Sequence, residues 1–342
     1  MRMQEAIALE IMSGNDLVPE LDRLFSAAGP VTVTETTKSW VFLSGNEVFK
    51  LKKRVRDDLQ DLTPLRARHD NTLTEIDLNR RLAPDTYLGA VRVGRLDDGQ
   101  VVLDDKQAET VDWLVKMRRL PGEMMLDARI GSGGSSAVLV KVLDALVLAL
   151  TEFYRTAWAT RLTAEDLMTV QEDQLAMARE VLLHPRFADI HSRVTCVLAE
   201  VEALWPDLTH LLSERVAQRA IVECHGDLRP EHICLTDPPV IYDCLEFNRT
   251  LRLCDPFSEM VFLGMECSVL GEDWIGPQLI AGLEAGLGAA PEPRLLHIYE
   301  ALHAMVRARL CLAHLLQPVP RTPEKWMPLA LQYLGVAERR LR

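Results

Sequence analysis

Two short apolar runs, each leading to an aspartate, constrain this chain more than any other feature. The stretch from Ile221 to Glu246 reads IVECHGDLRPEHICLTDPPVIYDCLE. Ala220 to Val222 leads into His225-Gly226-Asp227. Ile233 to Leu235 and a Pro-rich turn then lead into Val240 to Tyr242 and Asp243. The pattern predicts short buried strands joined by a loop, with a carboxylate delivered at each far end. Asp favours turns in any setting, so either residue alone would read as a strand-end cap. As an ordered pair, one on a loop and one after a strand, they suit phosphoryl transfer. One carboxylate meets the acceptor hydroxyl, and the other holds a divalent ion on the phosphates.

The 342 residues suffice for two lobes with substantial cores. A net charge of −12 disfavours non-specific binding to nucleic acid or anionic lipid and would attract a cationic substrate, although solubility alone also selects for acidity. Met1 to Gly14 lacks a long apolar core and carries Glu5 and Glu10, so no signal peptide is expected. Ala137 to Trp158 is interrupted by Lys141, Asp144, Glu152 and Arg155 and reads as a core helix, not a membrane span. Seven cysteines without CxxC spacing point to a reducing cytoplasm and no disulfide framework, and the evenly spaced Cys224, Cys234, Cys244 and Cys254 read as buried thiols rather than a metal site.

Asp16 to Ala28 reads as an amphipathic helix ended by Gly29-Pro30. Val31 to Thr36, continued by Trp40 to Leu43, reads as a strand; Ser44-Gly45-Asn46 turns it into Glu47 to Lys52. Alternation puts Val48, Lys50 and Lys52 on one face and Phe49 and Leu51 on the other. Thr63-Pro64 opens a helix reaching Leu82, with Thr63 as cap and a stripe of Leu65, Leu73, Ile76 and Leu82. A competing reading makes Thr72-x-x-Glu75 a capping box at a later helix start. Tyr87 to Val93, Gln100 to Leu103 and Val111 to Met117 complete a five-stranded sheet. Gly131 to Ser136 (GSGGSS) lacks the Lys-Ser/Thr ending of a P-loop and reads as a loop capping the next helix. The rest is helical: Ala137–Trp158, Ala164–Leu183 and Phe187–Val216, then Pro256–Leu270, Pro277–Ala285, Pro293–Leu316 and Pro323–Leu341.

HGDLRPEHICL followed by VIYDCLEFN resembles the aminoglycoside phosphotransferase family of kinase-like enzymes. It is most similar to a bacterial branch often fused to a C-terminal P-loop kinase-type domain, which usually reads HGDLHxxNI and IDCIEFN. SWVFLSGNEVFKLKK, LNRRLAPDTYLG, VKMRRLPGEMML and LHAMVRARL resemble the same branch. The resemblance implies an α+β, bilobal protein-kinase-like fold. Residues 1–115 would form a nucleotide-binding lobe with a five-stranded antiparallel sheet plus helix. Residues 116–121 would form a hinge and 122–342 a mostly helical C-lobe.

It also implies roles. Lys50, chosen over Lys52 by the match to Val-Phe-Lys-Leu, would reach the phosphates of ATP or another nucleoside triphosphate, oriented by Glu75. The turn Glu35 to Ser39 would cover those phosphates, Ser39 among the contacts. Met117 and Arg118 would offer backbone groups to the base. Asp227 would accept or orient the hydroxyl of a small-molecule acceptor, and Asp243 would bind Mg2+. Glu246 would touch metal or acceptor, or be a surface charge. His225 would shape the loop and Asp255 would brace it. Glu246, Glu259 and Glu266 could meet the amines of an aminoglycoside or other cationic compound.

One departure matters. The position five after Asp227, Asn in the family pattern and a metal ligand there, is His232. Imidazole suits Mn2+ better than Mg2+. Either His232 only holds the loop, or the metal preference has changed, or the chain is a nucleotide-binding pseudokinase with a regulatory role. A helical binding protein without nucleotide is the third reading. With no P-loop domain before Arg342, a separate P-loop partner protein is also expected.

Overall fold

The computed structural model describes residues 16–57, 59–132, 136–288 and 290–341. The signal-peptide reading of Met1 to Gly14, and the centre of the Gly131–Ser136 loop, lie outside the described residues. The chain divides into two compact units. Met1–Met124 and Val240–Asn248 form the first; Met125–Pro239 and Arg249–Arg342 form the second. The first unit thus extends past residue 115 and takes in residues 240–248, which were expected in the C-terminal lobe. The reason is packing: Val240 and Tyr242 join the first unit's cluster of Ile76, Ala83, Tyr87, Val115 and Met117.

The first unit is a single antiparallel sheet with helices α1 (Leu17–Ser26) and α2 (Leu65–Asn79). Its strands are β1 (Val31–Glu35), β2 (Ser39–Ser44), β3 (Glu47–Lys52), β4 (Tyr87–Arg95), β5 (Val101–Leu103) and β6 (Glu109–Arg118). They lie in the order β1-β2-β3-β6-β4-β5. The sheet has six strands rather than five because the run from Val31 to Leu43 folds back on itself. The Thr36 N–H donates to Ser39 O at 2.8 Å, Thr36 Oγ1 accepts from Ser39 N–H at 2.9 Å, and Glu35 comes opposite Trp40.

The two faces of β3 separate as the alternation predicts. Phe49 and Leu51 pack beneath α1 with Leu17, Leu21 and Phe25, and Phe25 stacks on Phe49 with centroids 4.4 Å apart. Lys50 faces the α2 side, where its ammonium meets Glu75. Helix α2 departs from expectation. It starts at Leu65 with Pro64 in the cap position, while Thr63 Oγ1 donates to Asp61 instead. The capping-box reading of Thr72 fails, since Thr72 is buried in mid-helix. Leu73, placed in the apolar stripe, is 41% exposed, and the buried face carries Arg68, Thr72, Glu75, Ile76 and Asn79. That polar face is compensated: Arg68 Nε bonds Asp112 at 2.9 Å and Nη1 bonds the carbonyls of Leu62 and Thr63. Buried charge is tolerable only with such pairing.

The second unit is mainly helical: α3 (Leu126–Gly131), α4 (Ser136–Thr156), α5 (Ala164–Leu182), α6 (His191–Ala203), α7 (Trp205–Ala217), α8 (Pro256–Val269), α9 (Ile275–Leu287), α10 (Pro293–Leu315) and α11 (Pro323–Leu341). The span Phe187–Val216 is two helices, α7 opening with Pro206 in its first turn, where its missing N–H costs nothing. Thr163 and Asp166 form a complete capping box at the start of α5. Helix α10 is the core element, with Leu295, Ile298, Leu302, Met305 and Leu312 buried among the other helices. No helix among the described residues is long and apolar enough to cross a membrane.

Helices α8 and α9 touch through two glycines. A Cβ on Gly264 would lie 2.7 Å from Gly276 Cα, a backbone atom that cannot swing aside. Gly264→Ala is therefore expected to destabilise by about 1–3 kcal/mol through overpacking, despite the gain in helix propensity. A lower thermal unfolding midpoint, followed by circular dichroism, checks this.

Candidate active site

In the first unit a strand, a helix and a short returning segment deliver five charged side chains to one place. Lys50 and Lys52 project from the same face of β3, Glu75 from the buried face of α2, and Asp243 and Glu246 from the segment after Tyr242. Lys50 Nζ lies 2.9 Å from Glu75 Oε1 and 2.8 Å from Asp243 Oδ1. Lys52 pairs with the other Glu75 oxygen, and its Nζ is 2.6 Å from Glu246 Oε1. The charges alternate in sign along the row Asp243, Lys50, Glu75, Lys52, Glu246.

Burial opposes the charge on Lys50, but Asp243, Glu75 and Glu246 outweigh it and raise the ammonium's pKa well above its ordinary value. Glu246 is the converse case: desolvation would raise its carboxyl, yet Lys52 and Lys50 hold it below the usual range. The two lysines differ in access. The Lys50 side chain is 15% exposed and that of Lys52 only 1%.

Asp243 adopts φ +60°, the left-handed region that Asp tolerates better than most side chains. Two buried groups hold it there. Tyr87 Oη accepts from the Asp243 N–H at 3.3 Å, and Asn79 Oδ1 accepts from the Cys244 N–H at 2.8 Å. Glu75 and Asn79 are four residues apart on α2 and share a face, so one helix orients both the lysine and the aspartate. The Asp243 carboxylate is 38% exposed, and an accessible hard oxygen donor of this kind fits Mg2+.

In the second unit, strand Val222–Glu223 pairs with Leu253–Cys254 and leads into the His225-Gly226-Asp227 loop. Gly226 takes φ +87°, which a side chain would resist. Glu259, on the first turn of α8, accepts from the N–H groups of His225 (3.1 Å) and Gly226 (2.6 Å), and from Tyr154 Oη at 2.7 Å. His225 is fully buried, and its Nδ1 accepts from the Asp227 N–H at 3.3 Å, so it shapes the loop by hydrogen bonding. Asp227 Oδ1 lies 3.0 Å from Arg229 Nε. Asp255 caps α8 by accepting from the Phe257 N–H, and it also binds Arg215 of α7 at 2.6 and 3.0 Å and Tyr299 of α10 at 3.2 Å.

The Phosphotransferase enzyme family model matches residues 73–298, which include Glu75, Asp227, His232 and Asp243. The chain belongs to this family. An uncharacterized protein of Mycobacterium tuberculosis is 28% identical over 290 residues, covering 82% of this chain and 54% of the relative. An uncharacterized protein of Mycobacterium bovis matches to the same extent. The chain spans about half the length of the curated relatives it matches. Among solved structures, the fold is similar to choline kinase LicA from Streptococcus pneumoniae (TM-score 0.54, 13% identity, 95% of this chain and 98% of that one). LicA in complex with AMP is also similar (TM-score 0.50, 12% identity, 96% and 100%). So is choline kinase from Cryptosporidium parvum Iowa II (TM-score 0.54, 9% identity, 95% of each chain).

In this phosphotransferase family member the geometry departs from several expectations. His232 does not present a free nitrogen to a metal. Its Nδ1 is 2.8 Å from Asp227 O and its Nε2 is 3.2 Å from Arg229 Nη2. Arg118 and Met117 are still inside β6, paired with Glu47 and Val48 of β3, and the Arg118 N–H donates to Thr86 O at 2.8 Å. That donor is therefore occupied, and the strand continues three residues into the expected hinge. Ser39 is 1% exposed, closed into its own turn. Glu246 is tied to Lys52 rather than presented to solvent as a surface charge. Glu259 and Glu266 are buried and bonded, Glu266 to Arg307 and Tyr333, so neither is poised for an incoming amine.

Sequence reasoning missed Asn79 and Arg229, weighed Lys52 only as the alternative to Lys50, and read Glu259 only as an amine contact, not as the acceptor for the His225 and Gly226 N–H groups. Glu259 carried one usable signal, its place four residues after Asp255 at a helix start; the others lie beside recognised positions and resemble ordinary polar residues. Sulfurs of Cys224 and Cys254 and an oxygen of Glu259 lie within 4.8 Å of one another. Burial pushes the Cys224 thiol well up, away from the thiolate a metal needs, and the Glu259 oxygens already accept three hydrogen bonds.

Proposed function

We propose that this chain is a nucleoside-triphosphate-dependent phosphotransferase that moves a terminal phosphoryl group to the hydroxyl of a small molecule. The observation that carries the reading is the Asp243–Lys50–Glu75 array, a carboxylate and an ammonium in direct contact and both fixed by α2. Phosphoryl transfer needs positioning and charge stabilisation more than covalent chemistry. Lys50 supplies a permanent positive charge for phosphate oxygens, with Glu75 setting its direction. Asp243 is the ligand for Mg2+ or Mn2+, which would neutralise charge developing on those oxygens. Asp227 orients the acceptor hydroxyl and takes its proton.

The acceptor class we favour is a cationic alcohol, either an aminoglycoside or a smaller amino alcohol. The chain's net charge of −12 favours it, and two of the structural neighbours are choline kinases by name. The alternative, a nucleotide-binding regulator without chemistry, is favoured by the engagement of His232, because the template's second metal ligand is then missing.

The test is nucleotide turnover. ADP release from ATP should depend on acceptor in a panel of aminoglycosides and amino alcohols, with Mg2+ or Mn2+. A thermal shift with ATP but no acceptor-dependent release would establish the regulator instead.

A further inference from the structure

We propose that Arg229, locked by His232, is the positioning residue for Asp227, and that its guanidinium takes the place of a second divalent ion. This rests on the phosphotransferase reading of Asp227. Donor and acceptor logic settles how the pair is wired. The Asp227 carbonyl can only accept, so His232 Nδ1, 2.8 Å away, must carry the hydrogen. A guanidinium can only donate, so Arg229 Nη2, 3.2 Å from Nε2, bonds to that nitrogen's lone pair. His232 is therefore neutral, a single tautomer, and occupied at both ring nitrogens. A metal could reach Nε2 only by displacing Arg229.

Arg229 is held on three sides. Besides His232, its Nε lies 3.0 Å from Asp227 Oδ1 and its Nη1 2.7 Å from Glu231 Oε1. The short helical turn Pro230–His232 brings these groups together, folding the chain so that His232 returns beneath Asp227. His232 is 6% exposed, so the lock is sheltered from water. In kinase-like loops the residue at this spacing is Asn and holds a second Mg2+. Here a guanidinium stands 3.2 Å from the ring of His232, which occupies that Asn position, and would repel a divalent ion there. The ion pair at Asp227 Oδ1 biases where that carboxylate sits, while Oδ2 lies 3.7 Å from His232 Nδ1 and is the oxygen assigned to the acceptor hydroxyl. The reaction then uses one divalent ion per chain, held by Asp243.

The experiment uses the full chain labelled with 15N-histidine, with the His232 signals assigned by their loss in His232→Asn. The expected spectrum is a neutral Nδ1–H imidazole whose Nε2 resonance shifts in Arg229→Ala and stays in place on adding Mg2+. In steady state, Arg229→Ala should lower kcat about 10–100-fold with KM for nucleotide little changed, and Arg229→Lys should recover only part of it. The wild type should bind one Mn2+ per chain, counted by electron paramagnetic resonance with a non-hydrolysable nucleotide. A His232 signal that moves with Mg2+ but not with Arg229→Ala, a second Mn2+, or an unchanged kcat in Arg229→Ala would each overturn the proposal. Absence of turnover with every acceptor would instead count against the phosphotransferase reading, and the histidine spectra would still judge the pairing.

Discussion

Asp227→Asn is expected to lower turnover by about 10²–10⁴-fold while nucleotide binding stays close to wild type. The amide keeps the size of the carboxylate but cannot take a proton or face the guanidinium 3.0 Å away as a counter-ion. The fold should survive, because the Asp227 side chain is a third exposed and the loop's main chain is held independently by Glu259, His225 and His232. Steady-state kinetics beside calorimetric titration with nucleotide separates the two effects. A variant with full turnover would remove Asp227 from the chemistry.

Lys50→Met and Lys52→Met should behave in opposite ways, although the residues are two apart on one strand face. Lys50 is the lysine in contact with the Asp243 carboxylate, so its removal should cost about 10²–10³-fold in turnover, as for loss of one preorganised donor. Stability should fall less, since Lys52 still pairs with Glu75. Lys52 is sealed from solvent, and losing it leaves Glu246 without its nearest cation in a partly buried position. Breaking such a pair costs about 3–5 kcal/mol when the remaining charge is buried, so Lys52→Met should melt early and, where folded, retain most of its turnover. Paired measurements of kcat and thermal midpoint decide it. The reverse pattern would make Lys52 the phosphate-facing residue.

Alternation along β3 made the pairing of Lys50 and Lys52 on one face legible, because side chains in a strand alternate with period two whatever the surroundings. The Glu75 assignment was also readable from the motif, and the structure places its carboxylate on both lysines. The burial of α2 was not readable. An apolar stripe is the usual sign of an inward face, and this helix instead turns Arg68, Glu75 and Asn79 inward because their partners lie far away in the sequence. The split of Val31–Leu43 into two strands was equally hidden, since Thr36-Thr37-Lys38 contains no Gly, Pro or Asn to mark a turn.

By itself the amino-acid sequence determined the α+β class, most helix positions, the family, and the order of Lys50, Glu75, Asp227 and Asp243, the residues to which the proposal assigns the chemistry. These follow from local periodicity and from motif spacing, which operate over a few residues. Tertiary structure alone decided what each charge is paired with. Lys50 and Asp243 are 193 positions apart, and Arg215 and Asp255 are 40 apart. It also showed that His232 is an imidazole closed between a carbonyl and a guanidinium. Ion pairs and hydrogen bonds depend on distances of about 3 Å, set only when strands and helices pack, and no one-dimensional pattern encodes such distances.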